Sequence, residues 1–577
     1  LGVVASATAI CASSGAMTAE TARSGATSAV DVGAASMVSS LSRSRRSRPM
    51  ISLVTGLPIC ASAQPPLHTD YPEFPRAGRG IHPLEEALMH VLRIVAVVAV
   101  LHAVGAPRVT VAHAQAGRGF TTDFQLSEFA ARRARVYDAI GPEGVALMQG
   151  LPSVHSSAIF RQSNEFYYVS GVVAPQALLL MDGASRRTTL YLPKQNVSRA
   201  ATEGEVLSSD DPARTARITG VDEVKAPDQL AADLTALTRA KVLFVPFAPT
   251  EGASESPDGA RRRTADVAAD PWDGRVSREA HLRALLAARA PTLEVRDLSP
   301  ILNTMREVKS PAEIGVITRV STLGGEAILE AMRSTEPGLA EYELDAVAQF
   351  INVRHGAQGE AYRAIVASGA TATNPHHRAG PKTMTEGELV LMDYCPDLGY
   401  YRCDITRQWP VNGTFTRDQR DLYGFYLGAY EALLYAIGPG LTAQQIVHKA
   451  LPQMEQVLAT ATFSKALYQD AATQFVERYR ASARGERPAN LGHAVGMATH
   501  DFGGGSGTMR PGMVFTIEPA LTVPSEQIYI RLEDMILITE SGAKILSDFV
   551  PRSIEAVERM VAEPGLLQRY GRIRTVR

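Results

Sequence analysis

Four carboxylates and one imidazole follow one another along the C-terminal half of the chain: Asp393, Asp404, His493, Glu518 and Glu533. They lie in the segments Val390-Leu-Met-Asp-Tyr-Cys395, Arg402-Cys-Asp-Ile-Thr406, Leu491-Gly-His-Ala-Val495, Val514-Phe-Thr-Ile-Glu-Pro519 and Arg531-Leu-Glu-Asp534. That donor set exceeds the needs of one divalent ion and suits two, with carboxylates bridging. Two metals holding a shared water make hydroxide at neutral pH, so the set points to a hydrolase. The donors include no thiolate and fit Mn(II), Co(II) or Zn(II). Each aspartate alone reads as a turn or surface carboxylate, and His493 alone as a satisfied core histidine. The ordered set is what carries the metal reading.

The elements that must position these groups are legible around them. Ten residues separate Asp393 from Asp404, among them Pro396, Asp397 and Gly399; a hairpin with that turn puts both carboxylates on one face. Such a pair, buried and uncompensated, raises its own pKa values, and dications remove the penalty. Strands are expected over 389–395, 403–409, 513–518 and 528–539. Glu518 precedes Pro519, which favours a strand end. Glu533 and Asp534 are adjacent, so only one faces inward. Gly492 and Gly496 flank His493 and are expected to let the backbone approach the metals. Ser310-Pro-Ala-Glu313 reads as an N-cap, a first-turn proline and a capping-box glutamate. Thr416-Arg-Asp-Gln419 and Thr442-Ala-Gln-Gln445 read as two more capping boxes, and another helix is expected from about Glu341 to Arg354. Upstream, a helix over 126–137 and strands near 144–148, 177–181, 188–192 and 241–246 predict a separate α/β domain. The Pro-, Asp- and Arg-rich stretch 250–275 reads as a surface loop. Alternation places Cys395 and Cys403 so that a disulfide between them is not expected.

The five segments, in this order and spacing, resemble the pita-bread metallopeptidases, which include methionine aminopeptidase, Xaa-Pro aminopeptidase (aminopeptidase P) and prolidase. Phe160-Arg-Gln-Ser-Asn-Glu-Phe-Tyr-Tyr-Val-Ser-Gly171 resembles the extra N-terminal domain of the aminopeptidase P and prolidase branch, and Met305-Arg-Glu-Val-Lys-Ser-Pro-Ala-Glu313 its interdomain entry. The resemblance runs from about Phe120 to about Val561. It implies an N-terminal α/β domain at 120–300 and a pita-bread catalytic domain at 305–565, an α/β (α+β) fold class. It implies that Asp404 and Glu533 bridge two ions, that Asp393 serves one, and that His493 and Glu518 serve the other. Glu518 also stands at the family's general-base position. His376, eight residues after Ser368, and His500, seven after His493, match substrate- and oxyanion-contacting histidines; neighbouring His377 is the less well spaced choice. Arg531 is expected to pair with a metal-bound carboxylate, and Asp534 to find a partner on the opposite face. The ion implied is Mn(II), with Co(II) and Zn(II) as alternatives. The activity implied is removal of the N-terminal residue from peptides with proline at position two. Prolidase is the close alternative; a metal-free amidinohydrolase such as creatinase and a non-catalytic binding module are more distant ones. Methionine aminopeptidase lacks the large N-terminal domain. After Glu518-Pro519 the family usually has Gly-Leu-Tyr, whereas this chain has Ala520-Leu-Thr522, which removes a phenol. The segments 501–511 and 523–530 look short for the family.

The whole chain has 577 residues, 45% hydrophobic and 20% charged, with a net charge of −2. Proline-containing peptides are the expected partners. The charge balance gives no sign of nucleic acid, and no apolar run reaches the roughly 18–20 residues of a membrane span. A homo-oligomer stays open. Residues 1–88 are Ala-, Ser-, Thr- and Gly-rich and read as low-complexity, disordered or untranslated. Residues 89–114 read as a signal peptide, with a short apolar run and the Ala112-His-Ala114 cleavage site. A mature protein would then begin at Gln115 and be exported; otherwise it would be cytoplasmic.

Overall fold

The computed structural model describes residues 119–154, 158–250, 256–503 and 507–570. The expected low-complexity segment and signal peptide lie outside the described residues. Every described residue belongs to one contact unit, Thr110–Arg577.

The N-terminal part is a six-stranded mixed sheet. Its strands are β1 (Gly144–Gln149), β2 (Leu178–Asp182), β3 (Arg187–Tyr191), β4 (Glu223–Lys225), β5 (Val242–Val245) and β6 (Glu294–Asp297), in the order β4-β3-β2-β1-β5-β6. β2 pairs antiparallel with β1 and β3, and the other neighbours run parallel. The helix Leu126–Ile140 lies over this sheet, burying Phe129, Val136 and Ile140. One expectation fails: the stretch read as a loop contains the helix Pro257–Ala269. Ser256 caps it by accepting from the Gly259 N–H at 2.9 Å, and Pro257 stands in the first turn, where its missing donor costs nothing.

The C-terminal part begins as expected. Ser310 accepts from the Glu313 N–H, Glu313 reaches back to the Ser310 N–H at 3.0 Å, and the helix Pro311–Ser334 follows. Helices Glu341–Arg354, Arg417–Ala436, Ala443–Thr460 and Ala466–Ala483 complete the layer, with both threonine capping boxes formed. These helices pack on short antiparallel sheets. One sheet comprises β7 (Ile365–Ser368), β8 (Leu389–Tyr394) and β9 (Ile405–Pro410). A second hairpin joins β11 (Ala520–Val523) to β12 (Ile528–Arg531), and the third sheet has the order β10 (Val514–Ile517), β13 (Asp534–Ile538), β14 (Ala543–Ile545).

The single strand expected over 528–539 is therefore two. The chain leaves the β11–β12 hairpin at Leu532–Glu533 and joins β10 at Asp534. At the crossing, Glu533 bridges to Thr406 through both backbone N–H···O bonds, 3.0 and 3.3 Å. That junction fastens the Glu533 segment to the strand that follows Asp404. Among the described residues, no helix is long and apolar enough to cross a membrane.

Candidate metal centre

β8 and β9 are joined by the hairpin turn the sequence predicted, and Asp393 pairs with Thr406 across it. Asp393 and Asp404 are both buried. The turn between them is held by the N-terminal part. Tyr400 adopts a positive φ of 69°, uncommon for a bulky residue, and its ring stacks on Tyr167 at 3.7 Å. Its hydroxyl accepts from the Gln162 N–H at 2.8 Å. Asp397 in the same turn pairs with Arg161 at 3.0 Å and Arg402 at 2.8 Å. Cys395 and Cys403 are free and buried, and the Cys403 N–H donates to the Cys395 sulfur at 2.8 Å.

His493 lies beside β10, its carbonyl accepting from the Thr516 N–H at 2.8 Å. The flanking glycines are needed for packing within the protein. A Cβ at Gly492 would collide with the Thr516 carbonyl, and one at Gly496 with the Asp501 carboxylate. They permit close packing of protein on protein, which sets the His493 ring in place.

The five candidate ligands converge. Donor atoms of Asp393, Asp404 and Glu533 lie within 4.8 Å of one another, as do those of His493, Glu518 and Glu533. These two triplets share Glu533, and a third, Asp404, His493 and His500, meets the same limit. His493 Nε2 is 3.4 Å from Asp404, 3.5 Å from Glu518 and 3.9 Å from Glu533. Glu533 accepts from the Thr406 hydroxyl at 2.9 Å through Oε2, while its buried Oε1 has no hydrogen-bond partner. An orphaned buried carboxylate oxygen is costly, and a cation would satisfy it.

The electrostatics agree. Burial, followed by the charges of neighbouring carboxylates, pushes Asp404 and Glu533 well above the usual carboxylate range. Burial also raises Glu518, against the pull of His493 and Arg531. Four carboxylates face one buried guanidinium, Arg531, which contacts Asp393 and lies 3.9 Å from Glu518. The arrangement is short of positive charge, as a site for divalent cations must be, and its oxygen and imidazole donors suit such ions.

Asp534 turns away into a separate buried network. It pairs with Arg407 at 2.5 Å and accepts from the hydroxyls of Tyr430 and Ser547, each at 2.6 Å. Although burial works against its charge, these partners hold its carboxyl below the usual range.

The His500 ring stacks on His493 at 3.7 Å. It is exposed by area, yet partial desolvation and the neighbouring His493 and His376 lower its pKa to about 4. Cations beside it would act in the same direction. His376 is exposed, whereas His377 donates its Nε2–H to buried Glu341 at 2.8 Å. Glu341 also accepts from Ser368 and Thr371, so His377 helps tie down the turn that carries His376.

Two residues escaped the sequence reading. The Tyr362 hydroxyl reaches both aspartates, at 2.6 Å from Asp404 and still closer to Asp393. Burial and these two charges raise its pKa far above that of a free phenol. Tyr529, two residues before Arg531 on β12, is raised by burial, with Arg531 opposing and Glu518 and Glu533 adding to it.

Comparison with known proteins agrees with this geometry. Residues 316–540 match the profile of metallopeptidase family M24, and residues 129–244 that of the aminopeptidase P N-terminal domain. The chain carries an M24 metallopeptidase domain preceded by an aminopeptidase P N-terminal domain, the two-part arrangement of aminopeptidase P, with the pita-bread domain after the N-terminal sheet domain. It is 29% identical over 462 residues to the Xaa-Pro aminopeptidase of Escherichia coli strain K12, covering 76% of this chain and 98% of that protein. The human Xaa-Pro dipeptidase is 24% identical, over 77% of this chain and 94% of that protein. The solved structure of zinc-substituted E. coli aminopeptidase P in complex with product superimposes with a TM-score of 0.61 at 27% identity, over 76% of this chain and 98% of that one.

Proposed function

We propose that this chain is a metal-dependent exopeptidase that releases the N-terminal residue from peptides with proline at position two. The observation that carries the reading is the convergence of the five candidate ligands, with Glu533 common to two of the three donor triplets. Asp404 and Glu533 would hold both ions, Asp393 one of them, and His493 and Glu518 the other. Divalent ions bound there would supply Lewis acidity toward a carbonyl oxygen and a lowered pKa for a bound water. The remaining work falls to the protein. Glu518 accepts the proton of the attacking water at its carboxylate. His500 and His376 donate N–H groups to the oxygen that gains charge as the carbonyl becomes tetrahedral. The low pKa of His500 leaves it a neutral imidazole at pH 7, a donor through one nitrogen only. Arg531 orients Asp393, and Tyr362 orients both aspartates. Proline at position two presents a tertiary amide with no N–H, so recognition of the scissile bond must rest on the carbonyl oxygen and the amino terminus.

The names borne by the relatives favour the aminopeptidase over prolidase, since the Xaa-Pro aminopeptidase match is the more identical of the two. A metal-free amidinohydrolase or a binding module leaves the clustered carboxylates unexplained. Mn(II) is the ion we assign, with Co(II) and Zn(II) to be compared. The test is a panel of an Xaa-Pro dipeptide, an Xaa-Pro-Yaa tripeptide and longer peptides with and without a second-position proline. The expected result is metal-dependent release of the first residue from Xaa-Pro-Yaa, with little activity when alanine replaces proline. Cleavage of the dipeptide alone would make the enzyme a prolidase. No cleavage of any proline peptide with the three metals would end the peptidase reading. Export is a companion proposal: N-terminal sequencing of secreted protein should read Gln115-Ala-Gly.

A further inference from the structure

The chain has Thr522 where the family usually has a tyrosine, and the structure shows a phenol directly across from it. In the β11–β12 hairpin Thr522 pairs with Tyr529, and Ala520 with Arg531. Directly opposed residues share a face, with Cβ atoms about 4.5–5.5 Å apart. Arg531 identifies that face, because it contacts Asp393. Thr522 is exposed, while Tyr529 is only 9% exposed. The aromatic ring at this place in the cleft therefore comes from the neighbouring strand.

Tyr529 closes a small apolar cluster with Ile365, Ala367, Ala372 and Leu391, and Ala520 packs against it. Ile365 pairs with Asp393 across β7–β8, and Ala367 with Leu391. This buried wall thus continues the very face that carries Asp393. His376 and His500, by contrast, are exposed. An exopeptidase admits one residue ahead of the scissile bond, so that side of the cleft must be blind, while the rest of the peptide leaves by an open side. The buried apolar wall suits the blind side and the exposed imidazoles suit the open one. Tyr529 also lines a cavity of about 370 Å³ with Leu389, Gln408, Ile528 and Ile530, and that cavity contains none of the five candidate ligands.

We propose that Tyr529 closes the pocket for the side chain of the released residue and limits how large that residue can be. The inference rests on the exopeptidase reading above. It is tested by kcat/KM on Ala-Pro-Yaa, Leu-Pro-Yaa and Phe-Pro-Yaa peptides, with metal content measured for each variant. Tyr529→Ala should raise the Phe-to-Ala ratio of kcat/KM by about tenfold or more, within the roughly 10–200-fold by which an apolar pocket discriminates size. Tyr529→Phe should leave the ratio unchanged, because the ring remains. Adding Thr522→Tyr to Tyr529→Ala puts a ring back from the other strand and should return the ratio to the wild-type value. An unchanged ratio in a metal-loaded Tyr529→Ala enzyme overturns the proposal. If Tyr529→Ala fails to fold or to hold metal, the double variant decides: a ratio unlike the wild type overturns it. If the wild-type enzyme cuts no Xaa-Pro peptide, the exopeptidase reading fails first and this inference falls with it.

Discussion

Conservative amides at Glu533 and Asp534 should separate metal binding from stability, because these neighbours have opposite surroundings. Asp534 and Arg407 form an ion pair at 2.5 Å with neither side chain exposed. Asp534 also accepts from Tyr430 and Ser547. Asp534→Asn removes the charge, keeps the shape and one acceptor oxygen, and leaves Arg407 buried without a counter-charge. Removing one partner of a buried pair costs about 3–5 kcal/mol, and the retained oxygen argues for the lower end. That is a large part of the roughly 5–15 kcal/mol that holds a typical domain folded. Glu533→Gln acts differently. Burial and its carboxylate neighbours already disfavour the Glu533 charge, so a neutral side chain relieves repulsion in metal-free protein and stability should hold or rise. The assay is urea denaturation of both variants with chelator present, together with elemental analysis of protein loaded with metal. Asp534→Asn should unfold at lower urea but keep two metal equivalents; Glu533→Gln should lose metal. The pH dependence has a definite sign. The Asp534 carboxyl lies below its ordinary range when folded, so its stabilisation is present above about pH 3.9 and disappears as pH falls through the lower folded value. The wild type and Asp534→Asn should converge only in strong acid. Equal loss of stability in both variants, or metal loss confined to Asp534→Asn, would refute the assignment.

Tyr362→Phe removes the hydroxyl shared by Asp393 and Asp404 and should lower metal affinity or kcat/KM by about 10–100-fold, the usual range for a residue that orients ligands; unchanged values would show the phenol to be idle. His376→Ala and His500→Ala should each lower kcat by about 10²–10³-fold, as expected for loss of an oxyanion donor. Elemental analysis should still find two metal equivalents in both histidine variants, and loss of metal would make that histidine a ligand. Asp404→Ala should empty or halve the metal content, and two full equivalents retained would remove it from the bridging position.

The cluster of five candidate ligands was legible because its residues are marked locally. Asp393 lies in a strand, Asp404 and Glu533 each immediately precede one, His493 stands beside a glycine and Glu518 before a proline, and the order of the five is itself a signal. The helix starts at Ser310, Thr416 and Thr442 were legible for the same reason, since a capping box is complete within four residues. What the sequence hid depends on distant partners. Residues 528–539 alternate like one strand, and only the change of partner from β11 to β10 divides them. Tyr362 has no local mark, as its value lies in reaching two aspartates 31 and 42 positions away. Gly492 and Gly496 were visible as glycines, but not that Thr516 and Asp501 were what they had to admit. The helix at Pro257 did carry a signal. Ser256-Pro257 repeats the pattern of Ser310-Pro311, and the charged, proline-containing composition around it obscured the match.

The N-terminal domain contacts both the Asp393–Asp404 hairpin and the loop that carries His493 and His500. Arg161, Gln162 and Tyr167 grip the turn between Asp393 and Asp404 through Asp397 and Tyr400. Three residues along from Arg161, the Asn164 amide donates to the Met497 carbonyl at 3.2 Å, inside the loop that joins His493 to His500. From the interdomain entry, Arg306 pairs with Asp501, the residue after His500, at 2.7 Å, and buried Lys309 lies 3.9 Å from the same carboxylate. The hairpin and the loop also meet directly, the Arg402 N–H donating to the Gly496 carbonyl at 2.8 Å. Buried ion pairs add little net stability compared with apolar packing, so the effect of this set is best sought in geometry. It fixes the distance between the carboxylates that hold charge and the imidazoles that face the substrate. Catalysis by positioned groups is lost with displacements of about 1 Å. The N-terminal domain is on this account part of the scaffold of the active centre, and its sequence motif at 160–171 is explained by the contacts it makes there.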